Sequence, residues 1–231
     1  MIRLEHAGES GIIIYFGDAI SESSAARVKA ACSQIRLRFT DYILDLIPSY
    51  TSLLVLYDAD KIDYLSIMSR LRLLLDEEAL NLPAENDSRL IQLPVYYGAE
   101  VALDLDFVSH HTGLSQAQVI ALHSQQEYRV YAIGFAPGFA YLGLTDDRLR
   151  VSRKQTPRLK VPRGSVALAD NQTAIYPSVS PGGWQVIGRT PNPLVDWDAD
   201  PITPFDVGDR VQFRAIERDE FIELGGSLDE L

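Results

Sequence analysis

The sequence predicts an α+β protein in which a first part with helices is followed by a longer part built from short strands. In the first part, two long segments carry apolar residues at helical spacing, and short apolar runs separate them. From Tyr128 onward, strand-like runs alternate with turn signals every ~8–12 residues, which is typical of a closed β structure. The two patterns meet at the polar stretch Ala84–Ser88. We therefore predict domains at residues 1–85 and 90–216, followed by an acidic tail at 217–231.

The first domain has the predicted element order β-α-β-β-α, and a strand at Ile91–Tyr96 follows it. Ser21 is placed to cap the first helix, because a serine hydroxyl accepts a hydrogen bond from a free N–H group of the first turn. This order of elements is that of a ferredoxin-like arrangement. The predicted strands are Gly11–Phe16, Ile43–Ile47 and Leu53–Tyr57, and the predicted helices are Ser21–Phe39 and Ile62–Leu75.

The second domain is predicted to have two short helices before its main run of strands. The first helix, Asp104–His111, ends before Gly113, and glycine is common just beyond a helix. The second helix begins at Ser115 with Gln118 three positions later, which is the spacing of a capping box. The clearest predicted strands are Tyr128–Phe135, Ser165–Ala169, Thr173–Tyr176, Trp184–Gly188 and Arg210–Ala215.

Composition argues against several classes of protein. With a net charge of −11, the 231-residue chain lacks the basic character of a general nucleic-acid-binding protein. No apolar run reaches the ~18 residues of a membrane-spanning helix, and the first residues contain no apolar signal core, so we expect a cytoplasmic protein. The single cysteine, Cys32, cannot form an internal disulfide and is too few for a structural zinc site.

Positive charge is concentrated in residues 148–163, which we name the basic segment. The segment carries a charge of +7 and contains no acidic residue, so the rest of the −11 chain carries −18. Such a segment can bind a carboxylate, a phosphate or an acidic protein surface. Alternatively, it forms a solvated hairpin whose charges pair with acidic residues elsewhere. Its basic residues are Arg148, Arg150, Arg153, Lys154, Arg158, Lys160 and Arg163.

Three segments rich in glycine, proline and aromatic residues lie in the same part of the chain: Gly134–Gly143, Pro157–Val166 and Tyr176–Thr190. Glycine stands where φ must be positive or where the backbone approaches another group, and proline fixes φ. Aromatic residues distinguish these segments from a flexible linker and indicate a pocket wall or a small core. The candidate binding residues are Phe135, Pro137, Phe139, Tyr141, Arg153, Arg158, Gly164, Ser165, Tyr176, Gly182, Gly183, Trp184 and His123.

The sequence contains no catalytic motif that assigns a catalytic residue. It has neither the phosphate-binding sequence G-x-x-x-x-G-K-[ST] nor a G-x-G-x-x-G after a predicted strand. Ser165 lacks the second glycine of a nucleophile elbow and has no histidine nearby in sequence, which favours a backbone hydrogen bond or a pocket contact. His110 and His111 project from different helix faces, so we predict no metal site. His123 either lines the site or is a hydrogen-bonded interior histidine.

The same segments carry a family resemblance. They read GFAPGFAYLG at Gly134–Gly143, PRLKVPRGSV at Pro157–Val166, YPSVSPGGWQVIGRT at Tyr176–Thr190 and, later, GDRVQF at Gly208–Phe213. With these motifs in this order, the chain resembles the family that includes the B subunit of the bacterial ATP-dependent 5-oxoprolinase, allophanate hydrolase subunit 1 and the KipI antikinase. The resemblance extends from Leu4 to Ile216. The chain departs from the family's pattern at Val151–Arg153, where TPR is usual, and at Arg163, where alanine is usual.

The resemblance implies a cyclophilin-like β-barrel for the second domain and a function shared with partner subunits. It implies that the chain is inactive alone and works with subunits A and C of 5-oxoprolinase to open 5-oxo-L-proline to L-glutamate with ATP hydrolysis. The assembled complex then uses the ATP, since this chain has no recognisable cofactor motif. The family leaves two alternatives, inhibition of a sensor histidine kinase or a role as an allophanate hydrolase subunit of the urea pathway.

The resemblance and the charge pattern together predict where ligands bind. We expect arginines of the basic segment to face a groove edged by aromatic residues, where they meet a substrate carboxylate, a phosphate or the C subunit. The arginines are Arg153, Arg158 and Arg163, and the groove residues are Phe139, Tyr141 and Trp184.

Overall fold

The computed structural model describes residues 2–76 and 88–229, which belong to two units, residues 1–88 and 89–231. Of the predicted linker Ala84–Ser88, only Ser88 lies within the described residues. Each unit has its own apolar core. The first unit contains strands β1 (Arg3–His6), β2 (Gly11–Tyr15), β3 (Ile43–Ser49) and β4 (Ser52–Tyr57) and helices α1 (Glu22–Arg38) and α2 (Tyr64–Asp76).

The strands of the first unit are antiparallel neighbours in the order β1-β2-β4-β3. Strand β4 buries every second residue, Leu53, Val55 and Tyr57, so one face of these strands meets the core that contains α1 and α2. The predicted cap of α1 is confirmed, because the Ser24 N–H donates to Ser21 Oγ at 3.1 Å. The sequence does not predict β1, whose four residues are mostly exposed and show no alternating pattern.

The second unit contains nine strands and three α-helices among its described residues. Its strands are β5 (Leu90–Tyr96), β6 (Glu127–Ile133), β7 (Ala140–Gly143), β8 (Arg158–Val161), β9 (Ser165–Ala169), β10 (Gln172–Ile175), β11 (Ser180–Gly182), β12 (Gln185–Arg189) and β13 (Arg210–Ile216), and its helices are α3 (Leu105–Thr112), α4 (Gln116–Ser124) and α5 (Arg218–Glu223). Seven strands close into a barrel in the order β6-β13-β5-β12-β9-β10-β7, and β7 pairs back with β6. Strands β8 and β11 form a separate two-stranded ribbon.

The strand predicted at Ile91–Tyr96 is present as β5, but its neighbours are β12 and β13 of the barrel. It pairs with β13 along its whole length, and its residues Leu93 and Val95 are buried in the barrel core. In the first unit, β2, α1, β3, β4 and α2 follow the predicted order β-α-β-β-α, and β1 is an additional strand that lies beside β2. The coarser prediction, an α+β protein whose second part is a closed barrel, is confirmed.

Strand β9 separates two cores, because its side chains alternate between the two faces of the barrel wall. Val166 and Leu168 belong to a large core that also contains residues of α3 and α4. Ala167 and Ala169 instead belong to a smaller cluster with several aromatic residues. The small alanine side chains let aromatic rings pack directly on this face of the wall.

Both helices predicted for the start of the second domain are confirmed. Gly113 follows α3 in the left-handed conformation with a φ of 71°, and Ser115 and Gln118 form the complete capping box of α4. Three short strands, β7, β8 and β11, were not predicted. Each has only three or four residues, and such a length is too short to show a clear alternation of apolar and polar residues.

The predicted acidic tail after residue 216 differs from the structure. Residues 218–223 form α5, because Phe221 is fully buried and its ring lies 5.4 Å from the ring of Tyr96, centroid to centroid. One aromatic anchor therefore holds this acidic segment on the barrel. Within the described ranges, every helix is too short or too polar to traverse a lipid bilayer.

Candidate functional site

A pocket of about 120 Å³ opens on the face of the barrel wall that carries the smaller, aromatic core. The loop after β6 forms part of it, and strand β11 with the residues that follow forms another part. The lining residues are Phe135, Phe139, Tyr141, Arg153, Tyr176, Pro181, Gly182, Gly183 and Trp184. All of them except Pro181 were predicted from the sequence as binding residues, so the structure brings these candidates together.

Phe139 is the centre of an aromatic cluster that forms the wall of the pocket. Its buried ring meets the rings of Tyr141 and Tyr176 edge to face, with centroid distances of 4.9 and 5.4 Å. Trp184 lies 6.2 Å from Phe139 and 6.0 Å from Tyr141. These distances and angles are favourable for aromatic pairs. The packed rings therefore form a rigid wall of the pocket.

The loop that follows β6 presents Phe135 outward at the pocket. The Gly134 N–H donates to the Phe139 carbonyl at 3.0 Å, and the Phe139 N–H donates to the Ala136 carbonyl at 3.0 Å, so the loop is tightly closed. Phe135 has a φ of 74°, which is uncommon for a bulky residue, and its side chain is 66% exposed. Strain of this kind is concentrated at functional sites. Pro137 belongs to the same loop, but it is exposed and does not line the pocket.

Gly182 is required by the close approach of Tyr176. A Cβ atom at Gly182 would collide with the Tyr176 hydroxyl and ring, whereas a Cβ at Gly183 would meet its nearest atom, in Pro157, at 3.6 Å. Burial raises the pKa of Tyr176, although hydrogen bonding from the Trp184 backbone opposes the rise. The tyrosine is therefore a neutral phenol at physiological pH, with a hydrogen that it can donate.

Arg153 is the charged residue of the pocket lining within the described part of the chain. Its guanidinium carbon lies 5.5 Å from the centroid of the Trp184 ring, a cation–π contact. No described acidic side chain lies within ion-pair distance of it, so its charge is available to an anion from solution.

Arg158 is not presented to the pocket as predicted, because the buried residue Asp104 holds it. The Asp104 carboxylate accepts hydrogen bonds from the two terminal nitrogens of Arg158 at 2.6 and 2.8 Å and from Lys154 Nζ at 2.9 Å. The Val186 N–H donates to the same carboxylate at 2.8 Å. Burial alone would raise the pKa of Asp104, but the hydrogen bonds from Arg158 and Lys154 prevail and hold the pKa below its usual value.

The other charges of the basic segment lie outside the pocket lining. Arg148 forms an ion pair with Asp146 at 2.7 Å. Arg163, which was predicted to face the groove, is exposed and is not a lining residue. Arg148, Lys154 and Arg158 thus pair with acidic residues, as one of the two alternatives proposed, and Arg153 lies at the pocket. The remaining basic residues, Arg150, Lys160 and Arg163, are exposed and lie outside the pocket lining.

Ser165 and Gly164 also lie outside the lining. Ser165 is fully buried, and its hydroxyl has no hydrogen-bond partner within the described residues. Gly164 has a φ of 79°, and a Cβ atom there would collide with the Thr190 carbonyl. These two residues shape the turn before β9, and the enclosed hydroxyl has no basic side chain to activate it.

His123 lies in the large core, so the interior alternative is correct. Tyr97 donates its hydroxyl hydrogen to His123 Nδ1 at 2.8 Å, and His123 Nε2 donates to the Thr173 hydroxyl at 2.9 Å. This tautomer follows because the Thr173 hydroxyl itself donates to the Ala167 carbonyl at 3.1 Å. The imidazole also stacks on Phe213, with centroids 4.5 Å apart. Complete burial lowers the pKa of His123 to about 3, so the ring is neutral.

The remaining candidate nucleophiles and ligands do not form a site. No group of three or more His, Cys, Asp or Glu side chains in the described residues is placed to hold a metal ion. His110 Nδ1 lies 2.8 Å from the Asp106 carbonyl, and His111 stacks on Phe107. Burial raises the pKa of the Cys32 thiol to about 11, so the thiol is protonated.

Asp104, which holds two cations of the basic segment, was not predicted from the sequence. It immediately precedes α3 and looks like a helix cap, although its side chain makes no capping hydrogen bond. The composition of the basic segment gave one indication of such a residue. Seven cations with no acidic residue among them repel one another, which favours a carboxylate from elsewhere in the chain. The sequence does not indicate which carboxylate, because the pair joins distant elements.

Comparisons with known proteins agree on one family. The family model described as carboxyltransferase domain, subdomain C and D, matches residues 2–205. The chain is 36% identical over 228 residues to the B subunit of 5-oxoprolinase from Bacillus subtilis (strain 168), and the alignment covers 95% of each protein.

Two solved structures share the fold but are longer proteins. The crystal structure of TTHA0988 is similar with a TM-score of 0.78 and 34% identity, over 94% of this chain and 40% of that one. The Kluyveromyces lactis urea carboxylase has a TM-score of 0.75 over 96% of this chain and 22% of that one, and its identity of 19% shows the fold alone. The family match and the nearly full-length identity establish that this chain belongs to the carboxyltransferase domain, subdomain C and D, family, together with proteins named as B subunits of 5-oxoprolinase.

Proposed function

We propose that this chain is the B subunit of an ATP-dependent 5-oxoprolinase, which acts with subunits A and C to open 5-oxo-L-proline to L-glutamate with ATP hydrolysis. The observation that carries the proposal is the 36% identity to a 5-oxoprolinase B subunit over 95% of both proteins. We place this activity in the cytoplasm. The closed barrel supports a cyclophilin-like assignment of the second unit, and a ferredoxin-like assignment of the first unit remains a prediction.

The pocket has properties that suit such a substrate. Lactam opening breaks a stable amide bond, so the carbonyl needs activation, which phosphorylation by ATP supplies. It also needs donors or cations near the oxygen that becomes negative. The aromatic wall around Phe139 shields the pocket from water, the neutral Tyr176 phenol is a donor for such an oxygen, and Arg153 offers a positive charge to the carboxylate of the substrate.

Partner subunits complete the enzyme in this proposal. The buried Ser165 hydroxyl and the neutral, enclosed His123 are poorly placed to act on a substrate, so we assign the groups that bind ATP and perform the chemistry to subunits A and C. The relation to TTHA0988 is consistent with this division, since the matched region makes up 40% of that longer chain. The rest of that chain lies outside the matched region.

Exposed apolar side chains near the pocket support a partner surface there. Phe135 lines the pocket, Leu159 lies on β8 and is 87% exposed, and Val179 directly precedes β11, the strand that pairs with β8. Large apolar side chains clustered at the surface mark interaction sites, and aromatic ones contribute disproportionately to binding. We therefore place a contact with the A or C subunit around the β8–β11 ribbon and the Phe135 loop.

Reconstitution tests the proposal. The purified chain is mixed with subunits A and C, and glutamate release from 5-oxo-L-proline is measured with and without ATP. We expect ATP-dependent release only when all three proteins are present. Release that persists without this chain would show that it is not a required subunit.

The same preparation distinguishes the other activities known in the family. Hydrolysis of allophanate with no action on 5-oxo-L-proline would favour an allophanate hydrolase subunit. Inhibition of a sensor histidine kinase by the chain alone, again with no oxoprolinase activity, would favour a KipI-like inhibitor. The likeness to urea carboxylase does not decide between them, because 19% identity supports the fold and not the activity.

A further inference from the structure

We infer that the aromatic pocket of this chain, without any partner subunit, binds a small cyclic carboxylate whose carboxylate group pairs with Arg153. The inference rests on the proposed function only for the choice of 5-oxo-L-proline as the first ligand to test. It otherwise depends on the charge, size and polarity of the pocket.

The described lining of the pocket carries one positive charge, that of Arg153. Arg153 lines the pocket and has no acidic partner within the described residues, whereas Arg158 and Lys154 of the same segment both pair with Asp104. Its guanidinium stands over the Trp184 ring, which orients the group while the nitrogen atoms at its edge remain able to bind both oxygens of a carboxylate. Arg153 is therefore the cation with which a carboxylate in this pocket would pair.

The pocket is small. A pocket of about 120 Å³ is far smaller than the ~300–1,000 Å³ of sites for drug-sized ligands, so a nucleotide does not fit inside it. Its walls are the rings of Phe139, Tyr141, Tyr176 and Trp184 and the backbone at Gly182 and Gly183. Such walls suit one small flat ring, held by apolar contact.

The Tyr176 hydroxyl is a polar group of the pocket lining besides the Arg153 guanidinium. The Tyr176 hydroxyl lies against Gly182, and its raised pKa keeps the phenolic hydrogen in place. A neutral phenol donates a hydrogen bond to a carbonyl oxygen. The preferred ligand therefore combines a carboxylate, for Arg153, with a ring carbonyl, for Tyr176, and a five-membered lactam carboxylate has both groups.

The fluorescence of Trp184 reports on binding in the isolated, full-length chain. The chain has two tryptophans, and replacing the exposed Trp197 with phenylalanine leaves Trp184 as the single emitter. This protein is titrated with 5-oxo-L-proline, with 2-pyrrolidinone, which lacks the carboxylate, and with cyclopentanecarboxylate, which lacks the lactam. We expect saturable binding of 5-oxo-L-proline, at least tenfold weaker binding of 2-pyrrolidinone, and intermediate binding of cyclopentanecarboxylate.

Variants in the same background identify the groups involved. Arg153→Gln is expected to weaken 5-oxo-L-proline binding at least tenfold, and Arg150→Gln, an exposed residue of the same segment outside the pocket lining, should not change it. Tyr176→Phe should remove the preference for 5-oxo-L-proline over cyclopentanecarboxylate while carboxylate binding remains. Circular dichroism confirms that each variant is folded.

Two results would overturn the inference. One is equal affinity for 5-oxo-L-proline in the folded Arg153→Gln and Arg150→Gln variants. The other is a folded chain that binds neither carboxylate while the reconstituted complex releases glutamate, which would leave the proposed function intact. Conversely, Arg153-dependent binding by the chain together with a complex that is inactive on 5-oxo-L-proline would support the inference and contradict only the proposed function.

Discussion

Asp104 and Arg158, 54 positions apart in the sequence, form a two-point ion pair that fixes the basic segment to the barrel. The Asp104 side chain is 5% exposed and the Arg158 side chain 24% exposed, so the pair is largely shielded from water. Lys154 and the Val186 N–H complete the shell around the carboxylate. Removing one member of such a pair leaves the other charge buried without its main partner.

We therefore expect Arg158→Ala to lower the free energy of unfolding by about 1–3 kcal/mol, because Lys154 compensates Asp104 only in part. Urea unfolding of the purified chain measures the change. Arg158→Lys should be intermediate, since lysine keeps the charge but not the paired geometry.

Arg163→Ala is the matched control for Arg158→Ala. Arg163 belongs to the same segment, is exposed and is outside the pocket lining, so its loss should change the free energy of unfolding by less than about 0.5 kcal/mol. Equal stability of the Arg158→Ala and Arg163→Ala proteins would show that the Asp104 pair contributes nothing. It would also favour the sequence-based expectation that Arg158 faces the groove and meets a ligand or the C subunit there.

His123 should make stability depend on pH in weakly acidic solution. Its pKa falls from 6.5 to about 3 on burial, so between these values the unfolded chain binds more protons than the folded one. The stability that the neutral ring contributes is therefore complete above pH 6.5 and is lost progressively as the pH falls. From pH 6.5 to 5.5 we expect a loss of about 1 kcal/mol from this residue.

Urea unfolding of the wild type and of His123→Gln across pH 5–7.5 isolates this effect, because all other titrating groups are common to both proteins. The variant should be less stable at pH 7.5, since a glutamine replaces the hydrogen bonds to Tyr97 and Thr173 imperfectly. The difference between the proteins should then shrink as the pH falls. A difference that is constant over this range would mean that the buried ring does not resist protonation.

Gly182→Ala and Gly183→Ala form a second matched pair. The alanine at Gly182 must displace the Tyr176 ring, whereas the alanine at Gly183 makes only an ordinary contact with Pro157. We expect Gly182→Ala to cost about 1–3 kcal/mol of stability, as overpacking does, and to change the emission of Trp184. Gly183→Ala should have a clearly smaller effect on both. Indistinguishable variants would mean that Tyr176 is not packed against Gly182.

The proposed partner surface predicts a selective loss of assembly. Leu159→Ser should weaken binding to the partner subunits by at least about 1 kcal/mol without lowering the stability of the chain, because Leu159 is exposed in the free protein. Isothermal titration calorimetry with subunits A and C measures the change. Leu65→Ser, which alters a similarly exposed leucine on α2, is the control, and equal effects of the two would place the contact elsewhere.

Features that depend on neighbouring residues were predictable from the sequence. Ser21, Gly113 and Ser115 mark helix ends through hydrogen bonds or a φ value that involve only the adjacent turn. The aromatic pocket could also be predicted, because its walls come from segments in which glycine and proline alternate with aromatic residues. Gly182 illustrates this, since its lack of a side chain makes room for Tyr176.

Features that depend on distant partners were not predictable. Nothing near Asp104 indicates that its carboxylate faces Arg158, since the pairing arises only when α3 packs beside β12. The burial of Phe221 could not be predicted, because it is a single aromatic residue in an acidic segment and one residue gives no periodic pattern. The pairing of β5 with β13 could not be predicted, because β13 lies at the far end of the chain.

The parallel pairing of β5 and β13 has a consequence for synthesis on the ribosome. β5 is the first barrel strand to be translated and β13 the last, and they are joined by seven residue pairs across 120 sequence positions, as in the pair Gln92–Gln212. Contacts across such a separation form slowly and late in folding. Until Ile216 has left the exit tunnel, the nascent barrel is an open sheet whose β5 edge can pair with other chains. Transcripts truncated before β13 should therefore yield aggregating products, and chaperone demand should peak just before translation ends.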